Sequence, residues 1–394
     1  MKRLLIATAA TALMSGAAAA DTVRMGILLG FTGPIESITP NMAAAAEMAW
    51  AEVNAAGGIL DGSTIEAVRA DSTCVDASAA NASGERLITS DGVVAIMGAD
   101  CSGVTRSVLE NVAMPNGVPM ISPSATSPAF TTFDSGGMFF RTAPSDARQG
   151  VVVAEMLMER GISSVAVSYT NNDYGLGLAD SFVAAFTAMG GSVTTNDSHM
   201  DGRGDYSAEV GALASAGGEV LVVFGYADQG GVGIIREALD SGAFDTFVLG
   251  DGMRAQSLID TIGPELDGTF GVVPSAAGEG MDTFLAMAAE AGFDGTTSFA
   301  AQAYDAAALL ALAAQAGGAA TPEAIAANIL AVANAPGEPI NAGELARGLE
   351  ILAAGGEIDY VGATEVELIP PGEAAGTYEE YNIDGSAFVR VQMR

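Results

Sequence analysis

Two short polar turns in the sequence have the composition of a carboxylate-binding site. They lie at 100–103 (DCSG) and 122–126 (SPSAT), and each follows an apolar run of strand length. Ligands of open α/β sheets bind in the crevice beyond the carboxyl ends of the strands. Hydroxyls and free backbone amides at such a place can hold a small carboxylate. Serine and threonine here are also typical of ordinary helix capping, which stays open as the alternative.

Three further segments follow strand-like runs in the second half of the chain: 171–175 (NNDYG), 224–226 (FGY) and 249–252 (LGDG). They supply the aromatic side chains of Tyr174 and Tyr226 and the carboxylate of Asp251. Together with the first two turns they suit a zwitterion, with an ammonium on Asp251 and an apolar tail against the tyrosines. Core packing of the tyrosines and an Asx turn at Asp251 are the alternatives.

The elements that must position these segments alternate between strand and helix patterns. We expect strands at 23–29, 65–70, 93–97 and 118–121 in a first series, and at 164–168, 191–195, 220–224, 247–249 and 270–274 in a second. Stretches with helical patterns separate them. This alternation is typical of a mostly parallel sheet covered by helices on both faces.

The sequence therefore predicts an α/β fold of two doubly wound, mostly parallel-sheet lobes joined by a hinge of several crossings. Four late helices have too few strands to form a domain, so they must pack on one of the two sheets. The predicted lobe 1 comprises 21–143 plus 275–362, and lobe 2 comprises 144–274 plus 363–394. Two lobes on a hinge are a known device for closing around a ligand.

The first twenty residues have the pattern of a secretory signal peptide, with Lys2 and Arg3 before an apolar centre and an alanine-rich cleavage site before Asp21. We expect an exported, periplasmic protein without direct membrane insertion. The chain carries 48 acidic residues against 15 lysines and arginines, for a formal net charge of −33. Such a surface repels nucleic acid and anionic lipid, so we expect neither as a partner.

Enzyme signatures are missing from the sequence. There is no GxSxG, GxxxxGK or HExxH pattern, Lys2 is the only lysine and His199 the only histidine. We therefore expect a binding protein with no cofactor and no metal site, although a carboxylate-only mechanism stays possible. The two cysteines, Cys74 and Cys101, are an even number in an exported chain, which suggests a disulfide. Two unpaired buried thiols are the alternative.

The chain resembles the periplasmic binding proteins for branched-chain amino acids, of the Leu/Ile/Val-binding type, which serve ABC transporters. The motifs that carry the resemblance are 32–34 (TGP), 52–58 (EVNAAGG), 121–128 (ISPSATSP), 172–179 (NDYGLGLA) and 225–226 (GY), in that order. The resemblance implies the type I periplasmic binding protein fold and a disulfide between Cys74 and Cys101. It also implies that a captured amino acid is delivered to the membrane permease subunits of an ABC transporter.

The resemblance also implies roles for the first-lobe turns. Ser102 binds the ligand carboxylate through its hydroxyl and amide, and Thr126 joins it. Ser124 supplies a backbone carbonyl that faces the ammonium, and Ala125, between them, belongs to the same ligand-binding turn. In the second lobe, Asp251 stands where the family has a glutamate for the ammonium, and the two tyrosines close over the ligand.

Two departures from the family pattern bear on the ligand. Asp100 replaces an apolar residue of the side-chain pocket, and the segment 35–40 (IESITP) lacks the usual aromatic residue. An unpaired carboxylate near the tail disfavours a purely aliphatic ligand, unless Asp100 points to solvent or caps the helix at Ser102. We expect a small amino acid, branched-chain or related. The alternatives are an amide, urea-like or aromatic carboxylate ligand, or a ligand-sensing receptor domain.

Overall fold

A computed structural model describes residues 21–394 of the chain. The predicted signal peptide, residues 1–20, lies outside the described residues. From residue 21 onward, no helix is both long enough and apolar enough to cross a membrane.

The strands of the described chain are β1 Thr22–Leu29, β2 Thr64–Asp71, β3 Ile96–Gly98, β4 Met120–Ser122, β5 Phe139–Arg141, β6 Ser164–Thr170, β7 Ser192–His199, β8 Val220–Phe224, β9 Phe247–Leu249, β10 Phe270–Ser275, β11 Glu338–Asn341, β12 Ile358–Gly362, β13 Leu368–Ile369, β14 Glu373–Ala374, β15 Thr377–Asp384 and β16 Ala387–Met393. The helices are α1 Thr39–Ala55, α2 Ala77–Glu85, α3 Ser102–Val108, α4 Met114–Asn116, α5 Ala129–Thr132, α6 Asp146–Glu159, α7 Asp173–Ala188, α8 Ser207–Ala216, α9 Gly230–Ser241, α10 Gln256–Ile262, α11 Glu279–Ala291, α12 Ala300–Ala316, α13 Pro322–Ala333 and α14 Leu345–Ala353.

The strands form two large sheets and one small one. The first sheet has the order β13-β14-β5-β4-β3-β1-β2, and the second has the order β16-β15-β10-β9-β8-β6-β7. Pairing is parallel throughout except at β13, β15 and β16. Strand β8 is buried along its whole length, as expected for a parallel strand with helices on both faces. The predicted fold class is confirmed. The parallel pair β11–β12 was not foreseen.

Helix α12 shows why the late helices join lobe 1. Its residues from Ala300 to Ala314 are buried on every face, and a helix that is apolar all round belongs in a core. Its many alanines let α1 approach closely, and the indole of Trp50 in α1 donates to the carbonyl of Ala307 over 2.9 Å. The helix also contacts β3 and β4 of the first sheet.

The chain crosses between the lobes three times, after β5, after β10 and after β14. The last crossing differs from the prediction. We expected it before residue 363, but β13 and β14 extend the first sheet beside β5, so it lies between Ala374 and Thr377. A strand of two residues is too short to show a hydrophobic period in the sequence. Only the pairing with β5 shows which lobe these strands belong to.

A buried ion pair joins the strands that precede the first and third crossings. Arg141 at the end of β5 is fully buried and binds the carboxylate of Glu373 in β14. Its other Nη donates to the carbonyls of Ala125, at 3.0 Å, and Ser127, at 2.9 Å. One guanidinium therefore fixes both the base of the hinge and the turn after β4.

Replacing Arg141 by Met leaves Glu373 buried without its cation, which is expected to cost about 3–5 kcal/mol of unfolding free energy. Removing both charges in Arg141→Met, Glu373→Leu should cost less than the single change, because no unpaired charge stays buried. Urea denaturation of the wild type and of these two variants measures the difference. A double variant less stable than Arg141→Met would contradict the assigned role.

Candidate functional site

A closed cavity between the lobes brings together seven of the eight predicted ligand-binding residues. Its walls hold Asp100, Ser102, Ser124, Thr126, Tyr174, Tyr226 and Asp251. All of these except Ser124 are at most 4% exposed. The cavity measures about 20 Å³, which is room for about one water molecule. The lobes are thus closed over the site.

Hydrogen bonds between the lobes hold this closed arrangement. The carboxylate of Asp228, after β8, accepts from the amide of Ser37 in lobe 1 over 2.8 Å. Arg254 of lobe 2 donates to the carbonyl of Thr296 over 2.9 Å, and the hydroxyl of Ser298 donates to the carbonyl of Arg254 over 2.7 Å. The contacts lie on the segments that begin α1 and α12.

Ser102 is the first residue of α3, but it does not cap that helix. Cys101 occupies the N-cap position, and its side chain makes no capping hydrogen bond. The hydroxyl of Ser102 instead accepts from the amide of Ser127 over 3.1 Å, which links the turn after β3 to the turn after β4. Ser124 strengthens that link by donating to the carbonyl of Asp100 over 3.2 Å.

Ala125 is the predicted site residue that the structure leaves out of the cavity wall. Its amide donates to the hydroxyl of Ser122 over 2.9 Å, and its carbonyl accepts from Arg141. Both backbone groups are used inside the turn, so Ala125 shapes the turn while its neighbours line the cavity.

Tyr174 is positioned by the start of α7. Asn172 caps this helix, and its side-chain oxygen accepts from the amides of Tyr174 and Gly175. A Cβ at Gly175 would lie 2.1 Å from the carbonyl oxygen of Thr170, so only glycine lets α7 begin this close to β6. The ring of Tyr174 stacks on that of Tyr226 with centroids 5.3 Å apart.

Asp251 is held by lobe 2 through one of its carboxylate oxygens. Oδ1 accepts from the hydroxyl of Tyr174 over 2.6 Å and from the amide of Gly252 over 2.8 Å. The second of these is the contact expected of a local turn, whereas the first joins two separate strand ends. Oδ2 is buried and has no hydrogen-bond partner among residues 21–394.

A second buried aspartate, Asp146, lies beside Asp251 and was not predicted. Gln149 bridges the two residues, because its amide nitrogen donates to Asp146 Oδ1 over 3.1 Å and its oxygen accepts from the amide of Asp251 over 3.2 Å. Asp146 Oδ2 and the hydroxyl of Thr126 are both buried without a well-aligned hydrogen bond in the described chain. The amide of Asp146 donates to the carbonyl of Thr126 over 2.9 Å.

Burial raises the pKa of both carboxyl groups. For Asp146 the negative charge of Asp251 raises the pKa further, and the Thr126 hydroxyl and the Arg141 guanidinium oppose this. For Asp251 the hydrogen bonds from Tyr174 and Gln149 oppose the effect of burial. Two such groups share protons as a pair, and an added cation between them would favour the ionised forms of both.

The sequence hides Asp146 because it resembles an ordinary helix start. Ser145 caps α6 through the amide of Ala147, and Asp146 follows in the first turn, where acidic residues are common. The usable signal is position: Asp146 comes directly after the first crossing, so it must lie at the base of the cleft.

Asp100 neither points to solvent nor caps α3. Its carboxylate accepts from the amide of Gly30, from the hydroxyl of Ser72 over 2.8 Å and from the amide of Cys101 over 2.9 Å. It therefore joins the ends of β1, β2 and β3. Burial raises its pKa, and these hydrogen bonds oppose the rise.

Three apolar side chains complete the cavity: Ile35, Ile38 and Phe299. Ile35 and Ile38 belong to the segment 35–40 that departs from the Leu/Ile/Val-binding pattern. Phe299 was not predicted. It adopts a left-handed backbone conformation, with φ of 66°, directly before α12.

The chain is similar to several known proteins. A family model described as periplasmic binding protein matches residues 22–342. The chain belongs to the periplasmic binding protein family. Leu/Ile/Val-binding protein homolog 1 of Brucella suis biovar 1 is 31% identical over 327 residues, which are 82% of this chain and 85% of the relative.

Solved structures share the fold of this periplasmic binding protein. The leucine-binding protein LivK of Thermotoga maritima has a TM-score of 0.78 at 23% identity, over 94% of this chain and 98% of its own. A solute-binding protein of an ABC transporter from R. palustris, in complex with 4-hydroxybenzoate, has a TM-score of 0.76 at 20% identity, over 95% and 97%. The type I fold and the relationship to amino-acid-binding proteins predicted from the sequence are confirmed.

The predicted disulfide of this binding protein is present. Cys74 and Cys101 are bonded and lie 27 residues apart. The bond ties the segment after β2 to the N-cap of α3, next to Ser102. It thereby anchors the lobe 1 half of the cavity from behind.

The double variant Cys74→Ser, Cys101→Ser is expected to lose about 3–4 kcal/mol of unfolding free energy, because the open chain gains conformational entropy when it unfolds. Urea denaturation of the variant, compared with wild type under oxidising and reducing conditions, measures this loss. Reductant should destabilise only the wild type. Equal midpoints for the variant and the oxidised wild type would contradict the expectation.

Proposed function

We propose that this protein captures an α-amino acid of the branched-chain or a related class as its zwitterion between the lobes. The cavity has room for about one water molecule, so its walls must move apart to admit the ligand. The observation that carries the proposal is the buried Oδ2 of Asp251, which lines the cavity and has no hydrogen-bond partner in the described chain. A primary ammonium has three N–H donors. One such group in the cavity can give Asp251 Oδ2 its missing hydrogen bond, and the neighbouring Asp146 adds negative charge.

The two buried carboxylates carry an energetic cost. A buried carboxylate without a partner costs several kcal/mol, and Arg141 is already engaged with Glu373 and two carbonyls. An ammonium in the cavity offsets that cost for Asp251 and attracts the charge of Asp146 beside it.

The carboxylate of the ligand is assigned to Ser102. Its hydroxyl already accepts from the amide of Ser127, which leaves its proton available to a carboxylate. Ser102 lies in lobe 1 and the acidic pair in lobe 2, so a zwitterion contacts both lobes at once. Bridging of this kind favours the closed arrangement.

The related proteins support delivery of the ligand to an ABC transporter. The R. palustris neighbour is described as a solute-binding protein of such a transporter. We propose the same partner here, the membrane permease subunits, with an N-terminal signal peptide and a periplasmic location. A binding role without catalysis completes the proposal.

An amide or urea-like ligand is the second candidate. Its neutral NH₂ group also supplies donors for the unpartnered oxygens, and the acidic pair would then keep its proton. An aromatic acid such as the neighbour's 4-hydroxybenzoate is less well matched, because it has no nitrogen donor for Asp146 or Asp251.

Asp251→Asn should lower amino-acid affinity at least about 100-fold, since a buried charge-assisted hydrogen bond is lost. Asp146→Asn should lower it by a smaller factor, because Asp146 acts on the ligand through its charge alone. The melting temperature of the empty protein should stay equal or rise, because a costly buried charge is removed. Thermal shift and calorimetry with L-leucine, L-alanine and L-glutamate measure both quantities.

The matched control for these variants is Asp180→Asn, which removes an exposed carboxylate from α7 and should leave affinity unchanged. If both site variants bound an amino acid with wild-type affinity, the ammonium assignment would be refuted. Melting shifts from amides alone would favour the second candidate.

Ligand binding is also expected to release protons. The pKa values of Asp146 and Asp251 are raised in the empty protein, so the pair keeps a proton above the range of an ordinary aspartate, and an ammonium displaces it. Affinity should therefore rise with pH through the raised pKa values and then level off. Calorimetry at about pH 5 and about pH 8, in buffers of different ionisation enthalpy, counts the protons. Proton uptake would contradict this.

A further inference from the structure

Helix α1 begins without the groups that usually stabilise a helix start. Its N-cap residue is Ile38, whose side chain makes no capping hydrogen bond, and its first turn has no acidic residue. Glu36, just before it, accepts from the amide of Gly33 over 3.3 Å. The first amides of a helix lack partners within the helix and carry partial positive charge. A group outside α1 must therefore meet the positive end of this helix of 17 residues.

A carboxylate from the other lobe lies at this helix start. Asp228 of lobe 2 accepts from the amide of Ser37 over 2.8 Å through Oδ2. Its own amide donates to the carbonyl of Pro34 over 3.1 Å. One residue thus binds both ends of the segment 34–37 that leads into α1, and the second bond runs in the opposite direction to the first. The two bonds fix both the orientation of this segment and its distance from lobe 2.

The carboxylate of Asp228 is held toward α1 by its own lobe. Oδ1 accepts from the hydroxyl of Ser257 over 2.5 Å, and Ser257 lies in the first turn of α10. The Ser257 oxygen is also 3.1 Å from the hydroxyl oxygen of Ser37. The charge of Asp228 is therefore directed at the positive end of α1, which is a favourable arrangement of an anion and a helix N-terminus.

Both partners in this contact are next to the walls of the ligand cavity. Ile35, inside the segment 34–37, and Ile38, directly after it, line the cavity from lobe 1. Tyr226, two residues before Asp228, lines it from lobe 2. The contact at Asp228 therefore sets how closely the apolar wall of lobe 1 approaches the tyrosine of lobe 2.

The loop that carries Asp251 is connected to the same contact. The amide of Ala227, directly before Asp228, donates to the carbonyl of Gly252 over 3.1 Å. Gly252 follows Asp251, and both line the cavity. The loops after β8 and β9 are thus joined by a backbone hydrogen bond, so a contact that fixes the first loop against lobe 1 also positions the second.

These bonds must break each time a ligand enters or leaves. The cavity holds about one water molecule, so the lobes separate to admit a ligand and again to release it. The two bonds from Asp228 to the segment 34–37 connect the lobes, and therefore form only when the lobes close. Asp228 is not among the residues that line the cavity, so its contribution is the same whichever ligand is enclosed.

We infer that Asp228 is a positioning residue for ligand capture: it is the negative cap of α1, supplied by lobe 2, and it stabilises the closed arrangement of the lobes. This inference rests on the proposed function, because it concerns a ligand enclosed between the lobes. Stabilising the closed arrangement raises the affinity of every enclosed ligand by the same factor. The gain comes from slower release, because bonds that form only on closure must break before the ligand leaves.

Calorimetry and stopped-flow kinetics with L-leucine and L-alanine test this role. Asp228→Ala should lower the affinity of both amino acids by the same factor, about tenfold, because a hydrogen bond from an amide to a charged group is lost. The release rate should rise by that factor, and the association rate should stay within about twofold. Asp228→Asn keeps an acceptor oxygen, and asparagine is a good helix cap, so the loss should be only about threefold.

The matched control is Asp240→Ala, which removes an exposed carboxylate from α9 of the same lobe and should change neither affinity nor release. If Asp228→Ala does not fold, Ser257→Ala decides in its place, since it frees the carboxylate from its orientation toward α1. Both affinities should then fall about threefold.

Unchanged affinities in Asp228→Ala, or in Ser257→Ala where that variant decides, overturn this inference and leave the proposed function standing. Unequal factors for L-leucine and L-alanine also overturn it, because they would mean that Asp228 contacts the ligand. Wild-type protein that binds neither amino acid overturns the proposed function, and this inference with it.

Discussion

The pair of buried carboxylates on Asp146 and Asp251 is the constraint on which this cleft depends. Both are desolvated, both have raised pKa values, and each has one oxygen without a partner in residues 21–394. Gln149 holds them side by side, and the backbone of Thr126 contacts Asp146 across the lobes. Structures keep such costly groups where binding offsets the cost.

The scaffold concentrates its strongest interactions where the lobes meet. Arg141 joins the strands before two of the three crossings and also holds the carbonyl of Ala125. The disulfide anchors the next turn. The turns after β3 and β4 in lobe 1 are therefore each tied to the scaffold.

Asp100 shows how charge type alone misleads about ligand contact. Asp100 stands where related proteins have an apolar pocket residue, but three hydrogen bonds engage its carboxylate in joining strand ends. It adds negative potential to the wall without needing a partner.

The sequence by itself determined the α/β class, the two lobes, the disulfide and most of the cavity wall. These depend on local signals: apolar runs of strand length, polar turns at strand ends, and motifs whose order and spacing are shared with a family. Only the tertiary structure decided the place of Asp146, which imitates a helix start, and of Phe299, which precedes a buried helix 48 residues after Asp251. It also decided the position of the third crossing, because only pairing with β5 assigns these strands of two residues to lobe 1. Contacts between residues distant in the chain produce no periodic pattern in the sequence, because they depend on how the formed helices and strands pack together.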